Sequence, residues 1–142
     1  MSSQHPAKIR RLEPAEWAQA FPVIVQLRKD LSEAAYLQAV RRQNFAGYEL
    51  IGAYLGEELV GVLGMQPIHA LSTGPYLHVD DLIVVDDKRR TGIGRALMDF
   101  AEADARARGM GSVFLEARPA AIPFYETLGY VFHTSPSMKK VF

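Results

Sequence analysis

The stretch DDKRRTGIGRAL, residues 86–97, combines five consecutive charged residues with two glycines where a helical pattern begins. The first four N–H groups of a helix have no partner inside it, and they lie at the positive end of its dipole. A phosphate can accept several of these hydrogen bonds, and Gly92 and Gly94 would let it come close. Charge-assisted hydrogen bonds could be added by Arg89, Arg90 and Arg95. We call residues 89–95 the glycine corner and predict that it binds a phosphate.

Two common nucleotide-binding patterns do not fit the glycine corner. The P-loop pattern GxxxxGK[ST] fails because Arg95 and Ala96 follow Gly94. The dinucleotide pattern GxGxxG fails at its third glycine, where Leu97 stands. A plain nucleotide-binding α/β domain is therefore a disfavoured alternative, and a glycine-rich turn beside a solvated charge run is the structural one.

Strands and helices are predicted to alternate around the glycine corner. Strands are predicted over residues 8–14, on both sides of the turn at 56–58, and over 76–85, 112–118, 130–133 and 137–142. Helices are predicted from residue 15, over about 32–42, after Gly92 and over 119–128. The helix after Gly92 has an apolar face formed by Ile93, Ala96, Leu97, Phe100 and Ala101. This order predicts an α/β (α+β) fold with a mixed, mostly antiparallel central sheet of six or seven strands and helices on both faces.

Composition limits the class of protein. A chain of 142 residues suits one domain, so we expect residues 1–142 to form a single domain. The 16 basic and 16 acidic residues balance, and no nucleic-acid partner is expected. Because cysteine is absent, disulfides, thiolate metal sites and a cysteine nucleophile are excluded, and the other residues predict no metal site. No run reaches the ~18 apolar residues of a membrane span and no signal peptide is evident, which predicts no membrane contact and a cytoplasmic location.

The spacing Arg-x-x-Gly-x-Gly in Arg89–Gly94 resembles the acyl-coenzyme A signature of the GCN5-related N-acetyltransferase (GNAT) family. The run Leu82–Val84 matches the Leu-x-Val that precedes this signature in the family. FYETLGY, residues 124–130, matches the family's Phe-Tyr-Glu-x-Leu-Gly-aromatic run, with Ala121 four residues before Tyr125. The resemblance is specific over residues 76–130 and topological over most of the remainder. It implies the GNAT fold and an acetyl-CoA-dependent transfer of an acetyl group to a primary amine.

The resemblance also implies which residues bind acetyl-CoA. Backbone groups of Leu82 and Val84 would pair with the pantetheine arm, and the amides of the glycine corner would hold the pyrophosphate. The cofactor-binding residues are predicted to be Leu82, Ile83, Val84, Arg89, Arg90, Thr91, Gly92, Ile93, Gly94, Arg95, Arg118 and Tyr125. Two of these depart from the family, since Arg90 replaces a frequent glycine and Arg118 a frequent asparagine. Arg118 could reach a phosphate or could be a surface charge at a strand end.

Acyl transfer to an amine requires a base for the ammonium and an acid for the leaving thiolate. Tyr125 is the predicted acid, because the resemblance places its phenol near the cofactor sulfur. For the base, Asp81 and Asp80 come first, since the diamine acetyltransferases of this family carry an acidic pair there. Alternation along a strand would turn only one of the two into the cleft unless a bulge intervenes. Glu116 is the next candidate and His78 the last; without cysteine, transfer is expected to be direct, in a ternary complex.

The acceptor is predicted only as a small-molecule or peptide amine. In the family it usually enters between the early helices and the late strands, where Asp30, Glu33 and Tyr36 could line its path. The resemblance also suggests a homodimer. The alternative from another functional class is a noncatalytic acyl-CoA-binding module for sensing or assembly, which would keep the glycine corner but would not need Tyr125.

Overall fold

The computed structural model describes residues 7–89 and 91–142. Its described strands form one sheet in the order β1-β2-β3-β4-β5. The strands are β1 (Lys8–Arg11), β2 (Glu49–Leu55), β3 (Glu58–Ala70), β4 (Gly74–Val84) and β5 (Val113–Leu115). β1 to β4 are antiparallel neighbours, whereas β5 runs parallel to β4 after a helical crossover. The prediction of a mixed, mostly antiparallel sheet is therefore confirmed.

Helices cover both faces of the sheet, as predicted. They are α1 (Phe21–Ile24), α2 (Glu33–Phe45), α3 (Ile93–Ala107) and α4 (Ile122–Thr127), with 3-10 turns over Pro14–Ala20, Asp86–Lys88 and Pro119–Ala121. One apolar cluster includes Trp17, Val40 and Val62 on the side of α1 and α2. The other includes Leu63, Leu97 and Ala101 on the side of α3. Burying apolar area in these two layers is the main favourable contribution to this fold.

α3 positions the glycine corner against the sheet. Ile93, Leu97 and Ala101 are at most 1% exposed, so the predicted apolar stripe is the face that packs. The helix ends before Gly109, which adopts φ +76°, a left-handed conformation that glycine tolerates best. Because α3 joins the end of β4 to the start of β5, its first turn lies at the end of β4 that carries Leu82–Val84.

The predicted count of six or seven strands is wrong, since the described residues form five. Residues 130–133 and 137–142 were expected to be the last two strands, but neither forms one. A strand needs a packed face and backbone partners. Here Val131 is 87% and Phe132 76% exposed, so the middle of the first run is not packed, and Pro136 between the runs cannot donate a hydrogen bond.

Two predicted elements are shorter or differently wound than expected. The strand expected over residues 112–118 is only Val113–Leu115, because β5 pairs with β4 over these three positions and Pro119 starts the next turn. The helix expected from residue 15 is a 3-10 turn followed by the four-residue α1, with Pro22 near the start of α1. Ser32 caps α2, since its hydroxyl accepts a hydrogen bond from the Ala35 amide at 3.1 Å. No helix in the described part of the chain is long and apolar enough to cross a membrane.

Candidate active site

A cavity of about 590 Å³ opens where the pairing of β4 with β5 ends. It is bounded by the second half of β4, the start of α3, the residues after β5, and α4. The predicted site residues that line it are Asp80, Asp81, Leu82, Ile83, Val84, Arg89, Gly92, Gly94, Arg95, Glu116, Arg118 and Tyr125. Residues from four separate segments of the sequence therefore meet at one place.

Two residues of the glycine corner, Thr91 and Ile93, do not line this cavity, and a third is not among the described residues. Ile93 is 1% exposed and packs beneath α3. The Thr91 hydroxyl donates a hydrogen bond to the Lys88 carbonyl and so closes the preceding turn. Arg90, the atypical member of the predicted signature, is outside the described residues.

The residues suggested for the acceptor path also lie apart from the cavity. Tyr36 is 3% exposed, and its hydroxyl donates a hydrogen bond to the Trp17 carbonyl at 2.6 Å, so it belongs to the core. Asp30 and Glu33 do not line the cavity either. From the segment between α1 and α2, the residues that line the cavity are Leu27 and Arg28 instead.

The N-terminus of α3 fits an anion. Gly92 precedes the helix with φ +90°, and no side chain among the described residues caps the helix. An added Cβ at Gly94 would lie 3.4 Å from the Phe124 ring, so this glycine also brings α4 close to the corner. The first-turn amides are thus left for a ligand with phosphate oxygens, which is the group that such a helix end binds well.

The arginines around the cavity differ in their partners. Arg89 forms an ion pair with Asp86 at 3.0 Å, and its Nε donates a hydrogen bond to the Val84 carbonyl at 3.4 Å. Asp86 therefore offsets part of the positive charge of the glycine corner. Arg95 and Arg118 line the cavity from α3 and from the end of the β5 segment. Positive charge thus borders the space next to the uncapped helix.

A β-bulge lets both aspartates reach the cavity. Gly64 of β3 pairs with Asp81, whereas the next residue, Met65, pairs with Val79. Asp80 is the extra residue of β4, so the strict alternation of side chains is broken at this point. Asp80 is hydrogen-bonded to Nδ1 of His78, and Asp81 accepts hydrogen bonds from Tyr48 and Arg28.

The pKa values of His78 and Tyr125 are both raised, but for different reasons. The hydrogen bond with Asp80 raises the pKa of His78, against the opposing effect of burial, and the charges of Asp80, Glu116 and Asp81 add to the rise. Burial raises the pKa of Tyr125. The Tyr125 ring makes edge contacts with Phe124 and Tyr130, at centroid distances of 5.0 and 5.8 Å. Tyr125 therefore keeps its proton at neutral pH, and it can donate that proton to a stronger base.

A second cavity of about 730 Å³ lies between α3, β5, α4 and the C-terminal segment. It shares Glu116 and Tyr125 with the first cavity, but neither the glycine corner nor Asp80 lines it. Since the residues predicted to bind phosphate and the two aspartates converge in the smaller cavity, we take that one as the candidate active site.

Sequence reasoning missed Tyr48 and Arg28, which both contact Asp81. Tyr48 is 33 positions from Asp81 and Arg28 is 53, so neither contact leaves a local signature. The available signal was Gly64 within the apolar run of β3, because a lone glycine in a strand often marks a bulge or a close approach.

The fold is that of an α/β protein in which an uncapped helix end, two aspartates and a tyrosine line one cavity. A family model described as an acetyltransferase (GNAT) domain matches residues 18–141. The chain therefore belongs to the GNAT family of acetyltransferases, as its motifs predicted.

Individual relatives agree with this family. An uncharacterized N-acetyltransferase of Bacillus subtilis strain 168, YhdJ, is 30% identical over 106 residues, which are 72% of each chain. The ribosomal-protein-alanine N-acetyltransferase of Brucella melitensis biovar Abortus 2308 has the same fold, with a TM-score of 0.82 at 22% identity, covering 96% of this chain and 100% of the other. The aminoglycoside N-acetyltransferase AAC(6')-Iy, solved in complex with CoA, also has a TM-score of 0.82, at 13% identity over 95% and 94% of the two chains.

Proposed function

We propose that the protein is an acetyl-CoA-dependent N-acetyltransferase that acetylates a primary amine by direct transfer in a ternary complex. One observation carries this proposal: a single cavity joins the uncapped, arginine-bordered helix end to Tyr125 and to a pair of aspartates. Phosphate binding alone would not call for proton-transfer groups at the other end of the same space. Membership of the GNAT family supports the same reaction.

The chain's own residues fit the donor. The amides at Gly92–Arg95 would bind the pyrophosphate, with Arg95 and Arg118 adding charge-assisted hydrogen bonds. Leu82 and Val84 line the cavity on the way from the corner to Asp81, so their backbone could pair with an extended arm. When bound, acetyl-CoA supplies an acetyl thioester, whose C–S bond breaks as the amine nitrogen bonds to the acetyl carbon.

The ammonium nitrogen must lose two protons in this reaction, and the leaving sulfur must gain one. The first proton goes to a carboxylate before the amine attacks, and we assign this role to Asp80, which the bulge turns into the cavity beside His78. The leaving sulfur takes a proton from the Tyr125 hydroxyl, which no described residue engages in a hydrogen bond, and the resulting phenolate takes the second proton from the acylated nitrogen. Asp81 has both of its oxygens occupied, and Glu116 is the remaining alternative base at the cavity wall.

The acceptor is proposed to be cationic before it reacts. Asp80, Asp81 and Glu116 line the part of the cavity beyond Leu82, and carboxylates there would attract an ammonium group. Among the relatives above, one is named for an aminoglycoside and one for an alanine of a ribosomal protein. A small-molecule amine and a peptide amine therefore both belong in the test.

The proposal is tested by mixing the protein with acetyl-CoA and a panel of polyamines, amino sugars, amino acids and peptides. Amine-dependent release of free thiol, together with an added acetyl group on one amine by mass spectrometry, is the expected result. Tight binding of CoA in calorimetry without thiol release from any amine would contradict it and would favour the noncatalytic acyl-CoA-binding module.

We also propose that the protein forms a homodimer and works in the cytoplasm. Val131, Phe132, Met138, Val141 and Phe142 are exposed apolar residues that contact with a second copy could bury. Sedimentation at several concentrations would test the dimer, since a monomer mass at all of them would contradict it.

A further inference from the structure

Tyr48 is a buried phenol with a charged partner. It lies immediately before β2, is 3% exposed, and donates a hydrogen bond from its hydroxyl to Oδ2 of Asp81 at 2.8 Å. Burial, followed by the nearby charge of Asp81, raises the pKa of Tyr48 far above its ordinary value. The hydroxyl therefore remains a hydrogen-bond donor over the whole working pH range.

The contact exists because Gly64 has no side chain. A Cβ at Gly64 would lie 1.9 Å from the Tyr48 hydroxyl oxygen and 2.6 Å from the adjacent ring carbon. Gly64 is also the partner of Asp81 at the position where the β3–β4 register shifts, so that Asp80 has no partner residue in β3. The Tyr48 hydroxyl thus lies against the bulge itself.

Asp81 connects the bulge to the segment between α1 and α2. Its Oδ1 accepts a hydrogen bond from Arg28 at 3.1 Å, while Oδ2 is held by Tyr48. Arg28 and Leu27 line the cavity next to the two aspartates. Along β4, Asp80 and Asp81 precede Leu82–Val84 and so lie farther from the glycine corner. We call Leu27, Arg28, Asp80 and Asp81 the acceptor wall.

We propose that Tyr48 is a positioning residue of the acceptor wall: through Asp81 it fixes both the bulge that presents Asp80 and the segment that carries Arg28. The inference rests on the proposed acetyltransferase function. The two aspartates then have different roles: Asp81 holds the acceptor wall together, and Asp80 takes the proton from the amine. Tyr48 touches neither the reacting atoms nor the glycine corner, so its effect falls on the amine and not on the donor.

The test compares Tyr48→Phe with Tyr54→Phe. Phenylalanine keeps the ring beside Gly64 and removes only the hydroxyl. Tyr54 is a matched control, because it is also buried and its hydroxyl bonds to a side chain, Gln19, away from the cavity. For each variant, amide hydrogen exchange over residues 25–32 and 78–84 is measured, together with KM for the amine and for acetyl-CoA.

In Tyr48→Phe, we expect faster exchange in both segments and an amine KM raised about fivefold or more, with the acetyl-CoA KM within about twofold of wild type. Arg28→Gln should raise the amine KM in the same direction. Tyr54→Phe should leave exchange in both segments and both KM values unchanged.

Unchanged exchange in Tyr48→Phe would overturn the positioning role. A rise in the acetyl-CoA KM instead of the amine KM would overturn the acceptor wall. If the wild type turns over no amine, the proposed function fails separately, and the exchange measurement still decides whether Tyr48 holds the bulge and the Arg28 segment.

Discussion

Two groups of charged residues, one between the sheet and the C-terminal end of α3 and one in the cavity, have similar side chains in different arrangements. In the first group, Arg11 and Arg108 each contact both Glu49 and Asp104, at distances of 2.7 to 3.4 Å. These four residues join β1 and β2 to the C-terminal end of α3, and every charge has partners of the opposite sign. We call them the rear network.

The cavity leaves its charges less balanced. Asp80 pairs with His78, an imidazole that can lose its charge, whereas Asp81 pairs with a permanent cation, Arg28. Glu116 raises the pKa of His78 without forming an ion pair with it. Fully paired charges contribute to the stability of the fold. A carboxylate beside a cavity that lacks a permanent cationic partner can instead bind an ammonium or take up a proton.

The largest effect is expected when the cavity loses its acid. Tyr125→Phe should lower kcat at least about tenfold, because the leaving thiolate then lacks a proton donor, while the acetyl-CoA KM stays within about twofold. Steady-state thiol release measures both quantities. Tyr130→Phe is the control, since its ring packs on Tyr125 but its hydroxyl binds Glu102. Equal kcat in Tyr125→Phe and wild type would remove the proposed acid.

The next effect is a change in pH dependence. His78 faces Asp80, with Glu116 and Asp81 nearby, and its pKa is raised, so it stays protonated to a higher pH than a free imidazole. While His78 keeps its proton, its hydrogen bond holds an Asp80 oxygen that would otherwise accept the proton of the amine. The wild-type kcat/KM should therefore rise with pH through an apparent pKa above about 6.5.

His78→Gln should remove this acidic limb and leave the titration of the amine itself. His69→Gln is the control, because His69 is exposed on β3 and does not line the cavity. An unchanged acidic limb in His78→Gln would show that the His78–Asp80 pair does not govern proton removal.

How much could be predicted from the sequence follows from how local each feature is. The glycine corner and the apolar stripe of α3 are contiguous or periodic, so their residue types predicted them directly. The joint exposure of Asp80 and Asp81 depends on a bulge opposite Gly64 of β3, which the Tyr48 hydroxyl approaches from a distant part of the sequence. The last two strands were predicted from β-forming residues alone, but in the described structure Val131 and Phe132 find no face to pack against.

The rear network should matter for stability and not for catalysis. Arg108→Gln is expected to lower the free energy of unfolding by about 0.5–1 kcal/mol, since Arg108 is partly exposed and contacts two carboxylates. Urea denaturation measures this change, and kcat/KM should stay at the wild-type value. Arg106→Gln is the matched control on the same helix, because the Arg106 side chain is 77% exposed and its ion pair with Glu102 is long, at 4.0 Å. A kcat/KM that falls in Arg108→Gln would break the contrast between the two groups.

The smallest effect concerns a peripheral ion pair at acid pH. Arg10 binds both carboxylate oxygens of Glu16, at 2.8 and 2.6 Å, and with a backbone hydrogen bond at Glu13 it lowers the pKa of Glu16 to about 2. Because the folded pKa is below the unfolded value of about 4.5, the pair stabilises the fold above that pH and loses its effect as the pH falls toward 2. Urea denaturation at about pH 6 and pH 3 should show a slightly smaller loss of stability in Glu16→Gln than in wild type. An equal loss in both would mean that solvent screens this exposed pair completely. Among the ion pairs tested, only the rear network would then contribute to the free energy of unfolding.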